Sequence, residues 1–202
     1  MKKGLMIVIS GPAGSGKGTV NAHLLAREDF AYSVSATTRA PRPGEVNGVN
    51  YHFITRDEFE ARIASGDMLE YTEYCGNYYG TPLKEAEAVL ESGRNLILEI
   101  EVEGAHNVKL KYPEAVLIML LPPSFAVQEQ RLRGRGTETE EKILERLARA
   151  KEEIYHATSY DYVVYNYDGA DKKAAEDILA IVTAEKRAMR RSEPISKTYF
   201  EY

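Results

Sequence analysis

A glycine-rich segment at residues 11–19 limits the possible folds of this 202-residue chain more than any other feature. It follows an apolar run at residues 5–9, precedes a predicted helix at 19–27, and its Gly11, Gly16 and Lys17 have the spacing G-x-x-x-x-G-K. A glycine-rich turn between a buried strand and a helix directs backbone N–H groups and the positive helix end to one point, where Lys17 adds a charge. The segment therefore predicts a binding site for a nucleoside triphosphate, in a kinase, a GTPase or a motor.

The residue after Lys17 departs from the usual form of this loop. Gly18 stands where the loop normally has Ser or Thr to hold Mg²⁺, and Thr19 is the nearest hydroxyl. We expect Thr19 to be the Mg²⁺ ligand. The residues expected to bind ATP are Gly11, Pro12, Ala13, Gly14, Ser15, Gly16, Lys17, Gly18 and Thr19.

Strand and helix patterns alternate along most of the chain. Apolar runs that predict buried strands are each followed by amphipathic segments that predict helices. This alternation indicates an α/β fold with a parallel sheet and helices on both faces. Beyond the glycine-rich segment, the predicted strands are 95–100, 115–121 and 162–165, and the predicted helices are 104–112, 125–133, 139–156 and 171–190.

Residues 33–81 break the alternation. They contain short strands of mixed polarity and one predicted helix at about 57–65, where Thr55 and Glu58 have the spacing of a capping box. This segment predicts a small mixed β insertion.

Composition and charge exclude several classes of protein. The net charge of −5 argues against a nucleic-acid partner, since proteins that bind a nucleic-acid backbone usually carry a basic excess. The apolar runs are shorter than the roughly 18 residues that a membrane span requires, so we expect no membrane partner. The single cysteine, Cys75, favours a reducing compartment, and we expect a cytoplasmic protein. The four histidines share no spacing that predicts a metal site.

A second motif covers residues 33–53 and fits S-x-S-x-T-T-R-x-x-R-x-G-E-x-x-G-x-x-Y-x-F. Residues 76–81 read Gly-Asn-Tyr-Tyr-Gly-Thr, and residues 131–138 read Arg-Leu-Arg-Gly-Arg-Gly-Thr-Glu. Together with the glycine loop, these motifs resemble the guanylate kinase family, whose members phosphorylate GMP. The resemblance extends over about residues 6–182.

The resemblance implies a P-loop three-layer α/β/α core with a parallel sheet, plus a small mixed β subdomain that binds GMP and a helical lid. We treat residues 1–202 as a single guanylate kinase-like domain. Its parts are a core (1–32, 84–124 and 157–190), a GMP-binding subdomain (33–83), a lid (125–156) and a tail (191–202) without an assigned role.

By resemblance, Arg39, Arg42, Tyr51 and Tyr79 hold the GMP phosphate. The prolines next to these arginines stiffen the segment, and two guanidinium groups held there suit a phosphate monoester. Tyrosine hydroxyls can donate hydrogen bonds to the same phosphate. The alternative is a solvated basic loop with tyrosines in the core.

Glu70 matches the family carboxylate that reads the base, and Ser35 and Thr81 match hydroxyls that face the guanine O6. One carboxylate can accept from both the N1–H and the 2-amino group of guanine, an edge that adenine lacks. The alternative for Glu70 is an exposed carboxylate on a strand.

Two acidic residues, Glu99 and Glu101, lie at the end of the strand predicted at 95–100, where ligands of open α/β sheets gather. The family commonly has aspartates there. We expect Glu99 to face the phosphates and Glu101 to lie near the nucleobase or ribose of GMP, with the division between them open. The alternative is that these acidic residues form ion pairs with a structural role only.

The resemblance assigns lid arginines to Arg131, Arg135 and Arg146, which would stabilise the negative charge of the transition state. We expect the nearby Arg133 and Arg149 to be solvated. Asn166 matches the family position near the adenine of ATP, but Tyr167 follows it where the family usually has an aspartate. The expected catalytic residues are Lys17, Arg39, Arg131, Arg135 and Arg146.

These patterns predict a kinase that transfers the γ-phosphoryl group of ATP directly to GMP, and to dGMP, with Mg²⁺. We expect a monomer or a homodimer. One alternative is a phosphopeptide-binding module of the same fold, against which the intact loop with Lys17 argues. Another is a kinase for a ribose bisphosphate, AMP or a pyrimidine monophosphate, against which Glu70, Ser35 and Thr81 argue.

Overall fold

A computed structural model describes residues 3–74, 76–134, 136, 139–191 and 199. The strands are β1 (Met6–Ser10), β2 (Phe30–Tyr32), β3 (Ala36–Thr37), β4 (His52–Phe53), β5 (Met68–Tyr74), β6 (Asn77–Pro82), β7 (Asn95–Leu98), β8 (Val116–Leu121) and β9 (Tyr162–Tyr165). The helices are α1 (Lys17–Leu25), α2 (Arg56–Ala64), α3 (Leu83–Glu91), α4 (Val102–Lys111), α5 (Phe125–Gly134), α6 (Glu140–Tyr155) and α7 (Asp171–Glu185). Short 3-10 helices cover His156–Ser159 and Met189–Arg191.

The main sheet has five strands, all parallel, in the order β2-β7-β1-β8-β9. Alternate side chains of β1 point to opposite faces, and both faces are covered. Ile7 and Ile9 belong to a core that includes Val20 of α1 and Ile178 of α7. Val8 belongs to the opposite core, which includes Val108 of α4. The predicted parallel sheet between two helical layers is therefore confirmed.

The second sheet is smaller and mixed, with the order β4-β3-β6-β5. Its β5 and β6 are antiparallel, and Glu70 on β5 pairs in register with Thr81 on β6. Helix α2 begins with the predicted capping box, in which Thr55 and Glu58 exchange side-chain and backbone hydrogen bonds. Phe59 of α2 is buried and stacks on Tyr78, with the ring centroids 5.1 Å apart. This small core attaches α2 to the sheet.

The two helices of the predicted lid, α5 and α6, share a small core with the glycine loop. Leu132 of α5 packs with Ile143 and Leu147 of α6, and Ala13 of the loop packs against this cluster. Ser124 caps α5, since its Oγ accepts from the Val127 amide at 3.2 Å. The lid is thus in contact with the predicted triphosphate site. Among the described residues, no helix combines the length and apolar character that crossing a membrane requires.

Several element boundaries differ from the predictions. Strand β2 and helix α3 were not predicted, and α1 begins at Lys17 rather than at residue 19. Helix α7 ends at Glu185 rather than at 190, and the buried carboxylate of Glu185 accepts hydrogen bonds from Tyr162, Arg190 and Arg191. Strand β7 ends at Leu98, so Glu99 and Glu101 lie beyond the strand, in the segment that leads into α4.

Candidate functional site

The glycine loop between β1 and α1 has a backbone that glycine alone adopts easily. Gly14 and Gly16 have φ values of 87° and 86°, in the left-handed region. A Cβ atom on Gly11 would lie 2.1 Å from the carbonyl oxygen of Leu120 on β8. Lys17 begins α1 and its Nζ donates to the carbonyl oxygens of Gly11 and Pro12. The lysine therefore folds back over the loop.

Residues that follow β9, at the same edge of the sheet, hold the glycine loop in place. The side chain of Asn166 is buried, and its Nδ2 donates to the carbonyl oxygen of Ser15 at 2.9 Å. Arg131 of α5 donates to the carbonyl oxygen of Asn166 at 2.8 Å and to that of Gly14 at 3.3 Å. It also pairs with Asp168 at 2.6 Å. Sequence reasoning missed Asp168, although it stands one residue after the position where the family usually has an aspartate.

A cleft of about 380 Å³ opens between the glycine loop, the end of β7, the second sheet and α6. The predicted site residues that line it are Gly11, Ala13, Lys17, Ser35, Tyr51, Glu70, Tyr79, Glu99, Glu101 and Arg146. It thus joins the predicted triphosphate loop to most of the predicted GMP site. Sequence reasoning missed further lining residues, among them Thr72, Gly104, Arg149 and Glu153. Thr72 could have been found, since it lies two residues after Glu70 and therefore on the same face of β5.

Glu70 is a buried acid in the wall of this cleft. Its residue is only 5% exposed, so the alternative of an exposed strand carboxylate is wrong. Burial raises the pKa of Glu70 to about 7, against the opposing effect of the Thr81 hydroxyl, which donates to Oε1 at 2.8 Å. A Cβ on Gly104 of α4 would lie 3.1 Å from Oε2, so glycine leaves room at this oxygen. Thr81 supports Glu70 and is itself absent from the lining of the cleft among the described residues.

Arg39 and Arg42 stand beside the cleft and are organised by Glu45, the fixed glutamate of the second motif, to which the sequence analysis assigned no role. The guanidinium of Arg39 donates to both carboxylate oxygens of Glu45, at 2.9 and 3.0 Å, and the Arg42 amide donates to one of them at 2.6 Å. This pairing raises the pKa of Arg39 and lowers that of Glu45. The Arg39 guanidinium also lies 5.6 Å from the ring centroid of Tyr51, which lines the cleft. Arg39 is therefore held in place, whereas Arg42 is exposed.

The two acidic residues beyond β7 have different partners. Glu99 accepts a hydrogen bond from Nδ2 of Asn21 at 2.8 Å. Glu101 pairs with Arg149 of α6 at 2.5 Å, and Arg149 also pairs with Glu153 at 3.2 Å. Burial raises the pKa of Glu101, and the positive charge of Arg149 opposes this shift. The structural ion pair considered as an alternative thus exists for Glu101.

The predictions for the remaining basic residues have mixed outcomes. The side chain of Arg149 is 38% exposed, and it also lines the cleft and pairs with Glu101. Arg133 is exposed, as expected, and pairs with Glu129 and Glu140. Arg146 is exposed and lines the cleft. Arg135 lies outside the described residues.

Oxygen donors for a cation are present near the loop. Thr19 and Gly18 are exposed in the first turn of α1, and the carboxylate of Glu99 lines the cleft. Hydroxyl and carboxylate oxygens are the ligands that Mg²⁺ prefers. Among the described residues, no three His, Cys, Asp or Glu side chains are grouped so that they could hold a metal ion on their own.

The family profile described as Guanylate kinase matches residues 3–185. This chain belongs to the guanylate kinase family. It is 55% identical over 185 residues to the guanylate kinase of Halalkalibacterium halodurans, covering 91% of this chain and 90% of that protein. It is 49% identical over 202 residues to the guanylate kinase of Bacillus subtilis, covering 99% and 98%. The resemblance deduced from the motifs is confirmed.

A solved structure extends the likeness to the fold. The crystal structure of guanylate kinase from Anaplasma phagocytophilum superimposes with a TM-score of 0.78 at 33% identity, covering 98% of this chain and 94% of that chain. The predicted α/β fold class is that of a guanylate kinase.

The loop geometry makes a prediction about two glycines. Gly16→Ala should lower the free energy of unfolding by about 1–3 kcal/mol, because alanine is strained at a left-handed position. Its Cβ would also lie 2.3 Å from Nδ2 of Asn166. Gly18→Ala is the matched control, since its Cβ would meet nothing within 4 Å, and alanine favours a helix. Urea denaturation of both variants checks this, and equal stabilities would contradict the loop geometry.

Proposed function

We propose that this chain transfers the γ-phosphoryl group of ATP to the phosphate of GMP and releases ADP and GDP. It is an ATP:GMP phosphotransferase, a nucleoside monophosphate kinase. The observation that carries the proposal is a single cleft lined both by the glycine loop with Lys17 and by the buried acid Glu70. A triphosphate and a guanine nucleotide can therefore meet in one place. dGMP is a second acceptor, because it has the same guanine edge and the same phosphate.

On the ATP side, the backbone N–H groups of the glycine loop and the Lys17 ammonium bind the phosphates. The rigid support of the loop favours this role, since a preformed cradle loses little entropy when it binds. Asn166 and Arg131 act on ATP through this support, in addition to the predicted contact of Asn166 near adenine. Thr19 and Glu99 would hold Mg²⁺, which supplies positive charge that neutralises the phosphate oxygens.

On the GMP side, Glu70 in its charged form accepts hydrogen bonds from the N1–H and the 2-amino group of guanine. Thr81 fixes one oxygen of that carboxylate, and Ser35 faces O6. Arg39, Arg42, Tyr51 and Tyr79 bind the phosphate of GMP. The Glu45 pairing supports this assignment, because it holds the Arg39 fork beside the two tyrosines.

In the transfer itself, the attacking GMP oxygen and the leaving ADP oxygen are held in line, and catalysis is positioning plus charge stabilisation. Arg146 and Arg149 on the lid wall of the cleft, with Arg131 at the loop, stabilise the charge of the moving phosphoryl group. Arg135 is proposed to act with them on the same negative charge, as the family resemblance implies. The GMP-binding subdomain (33–83) and the lid (125–156) close over the core and exclude water, which would otherwise hydrolyse ATP.

The protein acts as a monomer or a homodimer. Both substrates belong to the nucleotide pool of the cytoplasm, which supports a cytoplasmic place of action.

A kinase for AMP, a pyrimidine monophosphate or a ribose bisphosphate is disfavoured because the buried Glu70 would face no matching pair of donors. ADP release measured with these acceptors, GMP and dGMP decides between them.

The loop lysine supports the first functional prediction. Lys17→Met should lower kcat for GMP phosphorylation by about 10³-fold, because a charge directed at the transferred group is lost. The control Lys172→Met removes an exposed lysine of α7 and should leave turnover unchanged. A coupled assay of ADP release measures both, and near-normal turnover of the Lys17 variant would remove this residue from the mechanism.

The raised pKa of Glu70 predicts a pH dependence of GMP binding. Below about pH 7 the carboxyl is mostly protonated and cannot accept both guanine hydrogen bonds, so the KM for GMP should fall as pH rises through 7. Each pH unit below the pKa should weaken GMP binding by about tenfold. Glu70→Gln should bind GMP weakly at every pH, with ATP binding retained.

Glu73→Gln is the matched control, since Glu73 is an exposed acid on the same strand and should keep the wild-type profile. Steady-state kinetics at pH 6 to 8 provide the measurement. A Glu70→Gln enzyme with the wild-type pH profile would show that Glu70 does not read the base.

A further inference from the structure

We propose that Asn21 is a positioning residue for phosphoryl transfer, and that it acts by fixing the carboxylate of Glu99 at the edge of the cleft. This inference rests on the proposed function and adds to it a residue that no sequence motif singled out. The hydrogen bond between the Asn21 amide and Glu99 carries it.

Asn21 occupies an unusual place for its residue type. It lies four residues after Lys17 in α1, so both side chains are on one side of the helix. Lys17 lines the cleft, whereas Asn21 is only 2% exposed. Asparagine is a poor helix former and is mostly found at the surface. Its burial here calls for a reason other than helix stability.

The hydrogen bonds of Asn21 supply that reason. Its Nδ2 donates to Oε2 of Glu99 at 2.8 Å, and this orientation of the amide is required because a carboxylate only accepts. In the part of the chain that the structure describes, the buried Oδ1 of Asn21 has no hydrogen-bond partner. A buried acceptor without a partner is unfavourable, so an apolar residue of similar size would serve packing better. What asparagine adds at this position is the bond to Glu99.

Glu99 needs such a support more than an aspartate would. It follows the end of β7, and its side chain has one methylene more than the aspartate that is common in the family, hence more rotamers to lose. The neutral amide restricts the carboxylate without cancelling its charge. Glu101, two residues further on, is held instead by the positive charge of Arg149. The two acids therefore have different partners at the cleft: a neutral amide for Glu99 and a guanidinium group for Glu101.

The expected effect of losing this bond is on turnover. A Glu99 side chain that samples several rotamers spends less time oriented toward the phosphates and their cation, so kcat falls while KM for ATP changes little. Asn21→Ala should lower kcat by about 5–20-fold, and Glu99→Ala by about 10–100-fold. Asn21→Leu removes the hydrogen bond but keeps a side chain of similar volume, so a fall in its kcat cannot be attributed to a cavity.

A double-mutant cycle tests whether Asn21 acts through Glu99. If it does, Asn21→Ala and Asn21→Leu should lower kcat in the wild-type background and have almost no further effect in the Glu99→Ala background. If the losses instead multiply in the double variants, the inference is overturned. It is also overturned if Asn21→Leu keeps wild-type kcat, or if KM for ATP rises as much as kcat falls.

Asn95→Ala is the matched control for a purely structural asparagine. Asn95 is fully buried at the start of the same strand, β7, and bonds only to backbone at Leu5 and Asp29 among the described residues. Asn95→Ala should lower the melting temperature and leave kcat of the folded enzyme unchanged. A wild-type chain that releases no ADP with GMP would overturn the proposed function together with this inference, whereas multiplying losses in an active enzyme overturn the inference alone.

Discussion

The parallel pairing of β1 with β7 and β8 is the constraint on which the whole site depends. Carboxyl ends of parallel strands meet at one edge of a sheet, and ligands of open α/β sheets bind there. In this chain that edge gathers the glycine loop after β1, Glu99 and Glu101 after β7, and Asn166 after β9. Residues far apart in sequence thus become neighbours, as the bond between Asn166 and Ser15, with a separation of 151 positions, illustrates.

Charge is distributed in this site by pairing. Three arginines near the cleft are each held by a carboxylate: Arg39 by Glu45, Arg131 by Asp168 and Arg149 by Glu101. Such pairs orient a guanidinium fork, which is what planar recognition of phosphate requires. Because the net charge of the chain is −5, basic groups that bind phosphate must be placed locally, and these pairs fix where three guanidinium groups lie.

The sequence allowed much of the fold and part of the site to be predicted. The strand–loop–helix unit around Lys17 and the capping box of Thr55 depend on contacts within a few residues, so their signals are local. Strand β2 is only three residues long and exists through its pairing with β7, which no local pattern reveals. Glu45 belongs to the second motif, but the motif does not reveal that its carboxylate pairs with Arg39. Asp168 owes its role to Arg131, 37 positions away, and Arg149 to Glu101 across 48 positions. Asn21 was missed for the same reason, because its partner is 78 positions away.

The position of the GMP phosphate in a crystal structure of this chain bound to GMP is the most direct test that the two nucleotides meet head to head in the cleft. The phosphate should accept hydrogen bonds from Arg39 and Arg42, with the guanine edge on Glu70 and the phosphate directed toward the glycine loop. A GMP molecule whose phosphate lies away from both arginines would contradict this arrangement.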